Sequence, residues 1–160
     1  MADVIWGGAA SPIDRFHIER AEAFLGVRFP ADFVECVLEN NGGRPEPGWI
    51  QTSTGGHELF DHLISFDKEE RDHIVIVAAY SYWYLPVKLI PFAEDGNGNS
   101  FVFDFRTTPE APTIVFLFHE QHLGEDRLIT EDGLIPVATN FTELLSNLRT
   151  DPYFDDEDGQ

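Results

Sequence analysis

The stretch from Leu89 to Phe105, LIPFAEDGNGNSFVFDF, limits the fold more than any other part of the chain. Two apolar runs flank Glu94-Asp95-Gly96-Asn97-Gly98-Asn99, residues that tolerate positive φ at little cost, so the backbone reverses there. Ser100–Phe105 alternates in strand fashion, with Phe101, Phe103 and Phe105 on one face and Val102 and Asp104 on the other. A hairpin with one aromatic face belongs at the centre of a sheet packed on a core.

The rest of the chain supplies helices to cover such a sheet. Ser11-Pro12-Ile13-Asp14 predicts a helix start, with Ser11 as N-cap and Pro12 at the first helical position; Gly26 predicts a left-handed stop. Residues 31–40 place Phe33, Val34, Val37 and Leu38 at helical spacing before Asn40-Asn41-Gly42-Gly43. Arg44–Gly48 reads as a turn or short linker. Short strands are expected at Trp49–Thr52, His57–Phe60 and Leu63–Phe66. Asp67-Lys68-Glu69-Glu70 has the form of a capping box and predicts a helix through Ile74, Val77 and Ala78. The β-branched run Ile74–Val77 would suit a buried strand instead; the cap favours helix. Thr113–His119 reads as a strand, residues 121–133 as a polar loop, and Asn140 as the cap of a last helix carrying Phe141, Leu144 and Leu145. The expectation is one α+β domain with an antiparallel sheet, two N-terminal helices, one middle helix and one C-terminal helix. Its bounds are a loose lead-in at 1–10, from which Ile5 and Trp6 could dock on the domain, the domain at 11–149 and an acidic tail at 150–160. At 160 residues a single core suffices.

Charge narrows the partners. The net charge of -19 would repel nucleic acid and anionic lipid headgroups and steer a basic partner in. The longest apolar run, Ile74–Ala79, falls short of the roughly 20 residues that span a bilayer. A lone cysteine, Cys36, excludes an internal disulfide framework, and the N-terminus lacks a secretory pattern; both fit the cytoplasm.

The residues complete no site of chemistry. His119-Glu120-Gln121-His122 has histidines three apart after a strand pattern, whereas a zinc-protease helix needs them four apart. Asp95–Asn99 opens like a calcium loop, but Ser100 and Arg106 stand where an EF-hand has Gly and Glu. His57, Glu58, Asp61 and His62 form the best acid–base cluster, and nothing else in the chain completes a mechanism with them. No metal site and no cofactor is expected. The aromatics Trp49, Tyr82, Trp83 and Tyr84 and the acids Glu94 and Asp95 are the candidate partner-binding residues, because amphipathic aromatics with charged rims dominate hot spots. The same aromatics would serve equally well as padding beside the sheet.

Three blocks in order resemble the SUKH superfamily. They are Ile18–Phe33 (IERAEAFLGVRFPADF) followed by Asn41-Gly42-Gly43, then Leu89–Asn99 (LIPFAEDGNGN), then Val137–Leu145 (VATNFTELL). The resemblance implies a non-catalytic α+β domain that binds protein. Its bacterial members resemble immunity proteins against secreted toxins, often nucleases; fungal and animal relatives resemble regulators and scaffolds. The expected function is therefore neutralisation of a cognate toxin, with a basic toxin domain as partner. The alternative is a regulatory module that binds an endogenous protein. An enzyme built on His57, Glu58, His62, His119 and His122 is the reading from a different class.

Overall fold

Four helices and nine strands form one α+β unit in the computed structural model, which describes residues 3–118 and 124–154. The main sheet has five antiparallel strands in the order β5-β6-β7-β8-β9, with β5 at His62–Leu63, β6 at Leu89–Glu94, β7 at Ser100–Asp104, β8 at Thr113–Leu117 and β9 at Leu134–Ala138. The β6–β7 hairpin thus brings the middle strand, as its alternation predicts. Pro91 lacks an amide to give to the ladder, and the register slips between Pro91 and Ala93. Gly96 and Gly98 take positive φ in the turn.

The two faces of the sheet are buried differently. One carries Ile90, Phe92, Phe101, Phe103, Phe105, Ile114 and Phe116 into the main core, against residues of all four helices. These helices are α1 (Arg15–Leu25), α2 (Ala31–Asn40), α3 (Ile74–Ser81) and α4 (Phe141–Ser146). Phe33 of α2 sits at the hub, with ring centroids 5.0 Å from Phe103, 5.2 Å from Phe141 and 5.4 Å from Phe92. The opposite face holds Leu89, Val102, Val115, Leu117 and Leu134 under Leu85, Ile129 and Tyr84. That second cluster is why Val102, opposite the phenylalanines, is also fully buried.

Several local readings fail. The first helix is capped by Asp14, whose carboxylate accepts from the His17 amide at 3.3 Å, while the Ser11 hydroxyl donates to Glu70 at 3.2 Å. Arg44–Gly48 is not a linker: Arg44–Glu46 is a strand, β2, antiparallel to β1 at Ile5–Gly7, so part of the expected lead-in belongs to the fold and Trp6 packs edge-on to Phe60. The Asp67 carboxylate does bind the Glu69 amide, at 3.0 Å, but in a turn; α3 starts only at Ile74, with His73 as its cap residue. The remaining pair, β3 (Trp49–Gln51) and β4 (His57–Leu59), forms a separate hairpin. Of the third expected strand, 63–66, only Leu63 lies in a strand, within the two residues of β5. The His119–His122 motif and residues 155–160 of the acidic tail lie outside the described residues.

Candidate functional site

Two surfaces gather the residues of interest. The first is an acidic corner where β5 meets the end of β6. His62 stands between two carboxylates, its Nδ1 2.8 Å from Asp61 and its Nε2 3.6 Å from Glu94, and Arg44 donates to the other Asp61 oxygen at 3.1 Å. Strand pairing sets this up, since His62 lies directly opposite Glu94 in the ladder. Burial pushes the Glu94 carboxyl above its usual range, His62 opposes that, and Asp72, Asp95 and Asp61 add to the rise. Glu58 on β4 is raised as well, by burial and by Asp95. Five carboxylates therefore share this corner with one arginine and one histidine, and the carboxyls of two of them, Glu58 and Glu94, are pushed up.

Asp95 plays a distinct part in it. The residue is buried, and its Oδ1 accepts from the Asn97 amide at 2.7 Å and the Asn99 amide at 3.0 Å; Oδ2 accepts from the Asn99 side chain at 2.8 Å. The carboxylate closes the hairpin turn from within, leaving Glu94 as the member of the pair that faces outward. The acid–base cluster expected from sequence is divided: Glu58, Asp61 and His62 reach the corner, while His57 lies 6.0 Å from the Tyr153 ring on the β3–β4 side. Among the described residues, no group of three or more His, Cys, Asp or Glu side chains is arranged to hold a metal ion.

The second surface is aromatic. Tyr80, Tyr82 and Trp83 are all exposed, Trp83 at 82%. They close α3, a helix apolar all round, which ordinarily means burial on every side. Tyr84 departs from this group: its ring is half-buried on the second core cluster, and its backbone oxygen accepts from Ile129 at 2.7 Å. Trp49 lies on the β3–β4 hairpin. It pairs with Leu59 across β3–β4, exchanges backbone hydrogen bonds with Arg149, and meets Tyr153 edge-on at 5.5 Å. The structure leaves Tyr82 and Trp83 exposed at the carboxy-terminal end of α3, keeps Glu94 at the acidic corner, and assigns Trp49, Tyr84 and Asp95 structural contacts. Sequence reasoning missed Tyr80 and Asp72; their signal was the absence of any Asp or Glu between Asp72 and Glu94 in an otherwise acidic chain.

Clefts lie elsewhere. One of about 830 Å³ runs between α1, α2 and the loop after β7, floored by Ile18, Phe29, Val34 and Phe105. Its polar lining is Arg15, Arg28, Lys88 and four glutamates, with no Ser, Cys, His or Asp. Another, of about 650 Å³, lies against β8, β9 and the β3–β4 hairpin, and likewise contains neither Cys nor His. Neither includes a residue of the acidic corner. Burial pushes the Cys36 thiol up to about 11, far from a reactive thiolate. No described helix is long and apolar enough to cross a membrane. What this arrangement can do is present an acidic corner and exposed aromatic side chains to another molecule.

Comparison with known proteins agrees with that architecture. No curated protein matches the chain. A family model described as SMI1 / KNR4 family (SUKH-1) matches residues 12–147, from the start of the first helical region to the end of the last helix. The chain belongs to the SMI1/KNR4 family (SUKH-1).

Proposed function

We propose that this protein is a cytoplasmic immunity protein that binds a cognate secreted toxin domain and blocks it by contact alone, with no reaction of its own. Family membership supports a protein-interaction role, immunity or regulatory. The observation that carries the finer reading is the acidic corner, where burial and neighbouring acids together push the Glu58 and Glu94 carboxyls up. Such a site gains when a cationic surface arrives, because an opposing charge offsets the repulsion among the acids. A nuclease domain, which must attract a polyanion, has that surface. With a net charge of -19 the protein competes for it and has no affinity for nucleic acid itself. The free thiol of Cys36 fits a reducing compartment.

A regulatory module for an endogenous partner would use the same surface, and the gene neighbourhood separates the two readings. The test is co-expression with the toxin encoded beside this gene. Survival and a stable complex are expected; continued killing with no complex would overturn the proposal.

A further inference from the structure

We infer that the outward face of α3 is a helix-presenting docking surface for a cationic partner protein, and that Ile76, Ala79, Tyr80 and Trp83 are its apolar contact. The inference rests on the toxin-binding reading above and assigns the surface through which it operates.

The face follows from helical geometry. Ile74, Ala78 and Ser81 are the buried residues of α3 and fix its inward side. At about 100° per residue, Ile76, Ala79, Tyr80 and Trp83 fall on the opposite side, spaced i, i+3, i+4 and i+7. The chain stays coiled far enough to carry Trp83 there, since Trp83 donates to the Tyr80 carbonyl and Leu85 to the Ser81 carbonyl. Ala79 and Tyr80 are exposed and Ile76 is half-buried. An apolar stripe with this spacing is the pattern by which a helix seats in a hydrophobic groove. The small Ala79 at its middle lets a partner approach the backbone. Covering the stripe would give α3 the all-round burial its composition calls for.

Charge indicates which partner. Asp72, just before α3, lies close enough to Glu94 to raise its carboxyl, so the acidic corner continues into the amino-terminal end of the stripe. The stripe itself has no acid. An apolar centre with an acidic rim at one end complements an apolar groove with a basic rim. A second copy of this chain fits worse, because each copy brings a net charge of -19.

The test uses the full chain and, as probe, the catalytically silenced toxin domain encoded beside this gene. Ala79→Arg keeps a good helix former while obstructing the stripe, and Trp83→Ala removes its largest side chain. Each should weaken the complex at least about 30-fold, the scale of a hot-spot residue. Phe154→Ala, at a comparably exposed aromatic on the carboxy-terminal segment, should bind like the wild type. Asp72→Lys should slow association at low salt, with the difference closing as salt is raised. Melting temperatures of the stripe variants should stay within about 2 °C of wild type, which separates lost contact from lost fold. If wild type binds and protects while Ala79→Arg and Trp83→Ala bind equally well, the docking face is wrong and the immunity reading stands. If wild type itself does not bind, both fall. A wild-type dimer that Ala79→Arg splits, with toxin binding intact, would give the face to a second copy and overturn the inference.

Discussion

Phe33→Ala tests the packing account where it is most exposed to error. Phe33 has no accessible surface, and its ring lies 5.0–6.1 Å, centre to centre, from those of Phe29, Phe66, Phe92, Phe103 and Phe141. Those rings come from α4, two strands and two loop segments, so no single element can move inward to fill the space. A cavity that cannot collapse puts the loss at the upper end of the usual Phe→Ala range, about 4–5 kcal/mol. At about 2–4 °C per kcal/mol for a domain of this size, the melting temperature should fall by about 8–20 °C. Against a total stability of about 5–15 kcal/mol, the variant folds marginally. Scanning calorimetry or thermal circular dichroism reads the shift directly. A cooperative melt lowered by less than about 4 °C would refute the claim that Phe33 is the hub joining α2, α4 and the sheet.

Other expectations follow from single groups. Because Glu94 is held above the ordinary carboxyl value of 4.5, the folded state binds that proton more tightly than the unfolded chain. Its ionisation therefore weakens the fold as pH rises through the raised value. Glu94→Gln should be more stable than wild type at neutral pH, with the gap closing as pH falls below 4.5, in urea melts across that range. Asp95→Ala removes the acceptor for two turn amides and should cost about 2–3 kcal/mol, read as a lower urea midpoint. Cys36, pushed up to about 11, should react with iodoacetamide at pH 8 far more slowly than a free thiol, as followed by mass spectrometry.

The hairpin was legible because its information is local. Alternating phenylalanines and a Gly/Asn turn act over adjacent residues, and Gly96 and Gly98 adopt the positive φ their type permits. Gly26 and Asn140 were legible as helix ends for the same reason. What was hidden depends on residues distant in sequence. The β1–β2 pair joins two three-residue strands about 40 residues apart, one of them containing Pro45, and neither shows a periodic pattern alone. Ser11 has the chemistry of a cap, but its hydroxyl is taken by Glu70, leaving Asp14 to start the helix. The aromatic surface was half legible. The residue types at Tyr82 and Trp83 suggested contact, yet an all-apolar helix does not reveal which side the sheet will cover. Only the burial of Ile74, Ala78 and Ser81 fixes that. Asp95 shows the converse: an exposed-looking acid in a turn whose carboxylate is directed inward.

The central claim is neutralisation by binding without chemistry. The measurement that tests it most directly is a titration of the neighbouring toxin's activity with this protein, followed by intact mass analysis of both chains. The account predicts inhibition that rises linearly to completion at a fixed stoichiometry, with both masses unchanged. Complete inhibition at a small fraction of that ratio, or a toxin of altered mass, would contradict it.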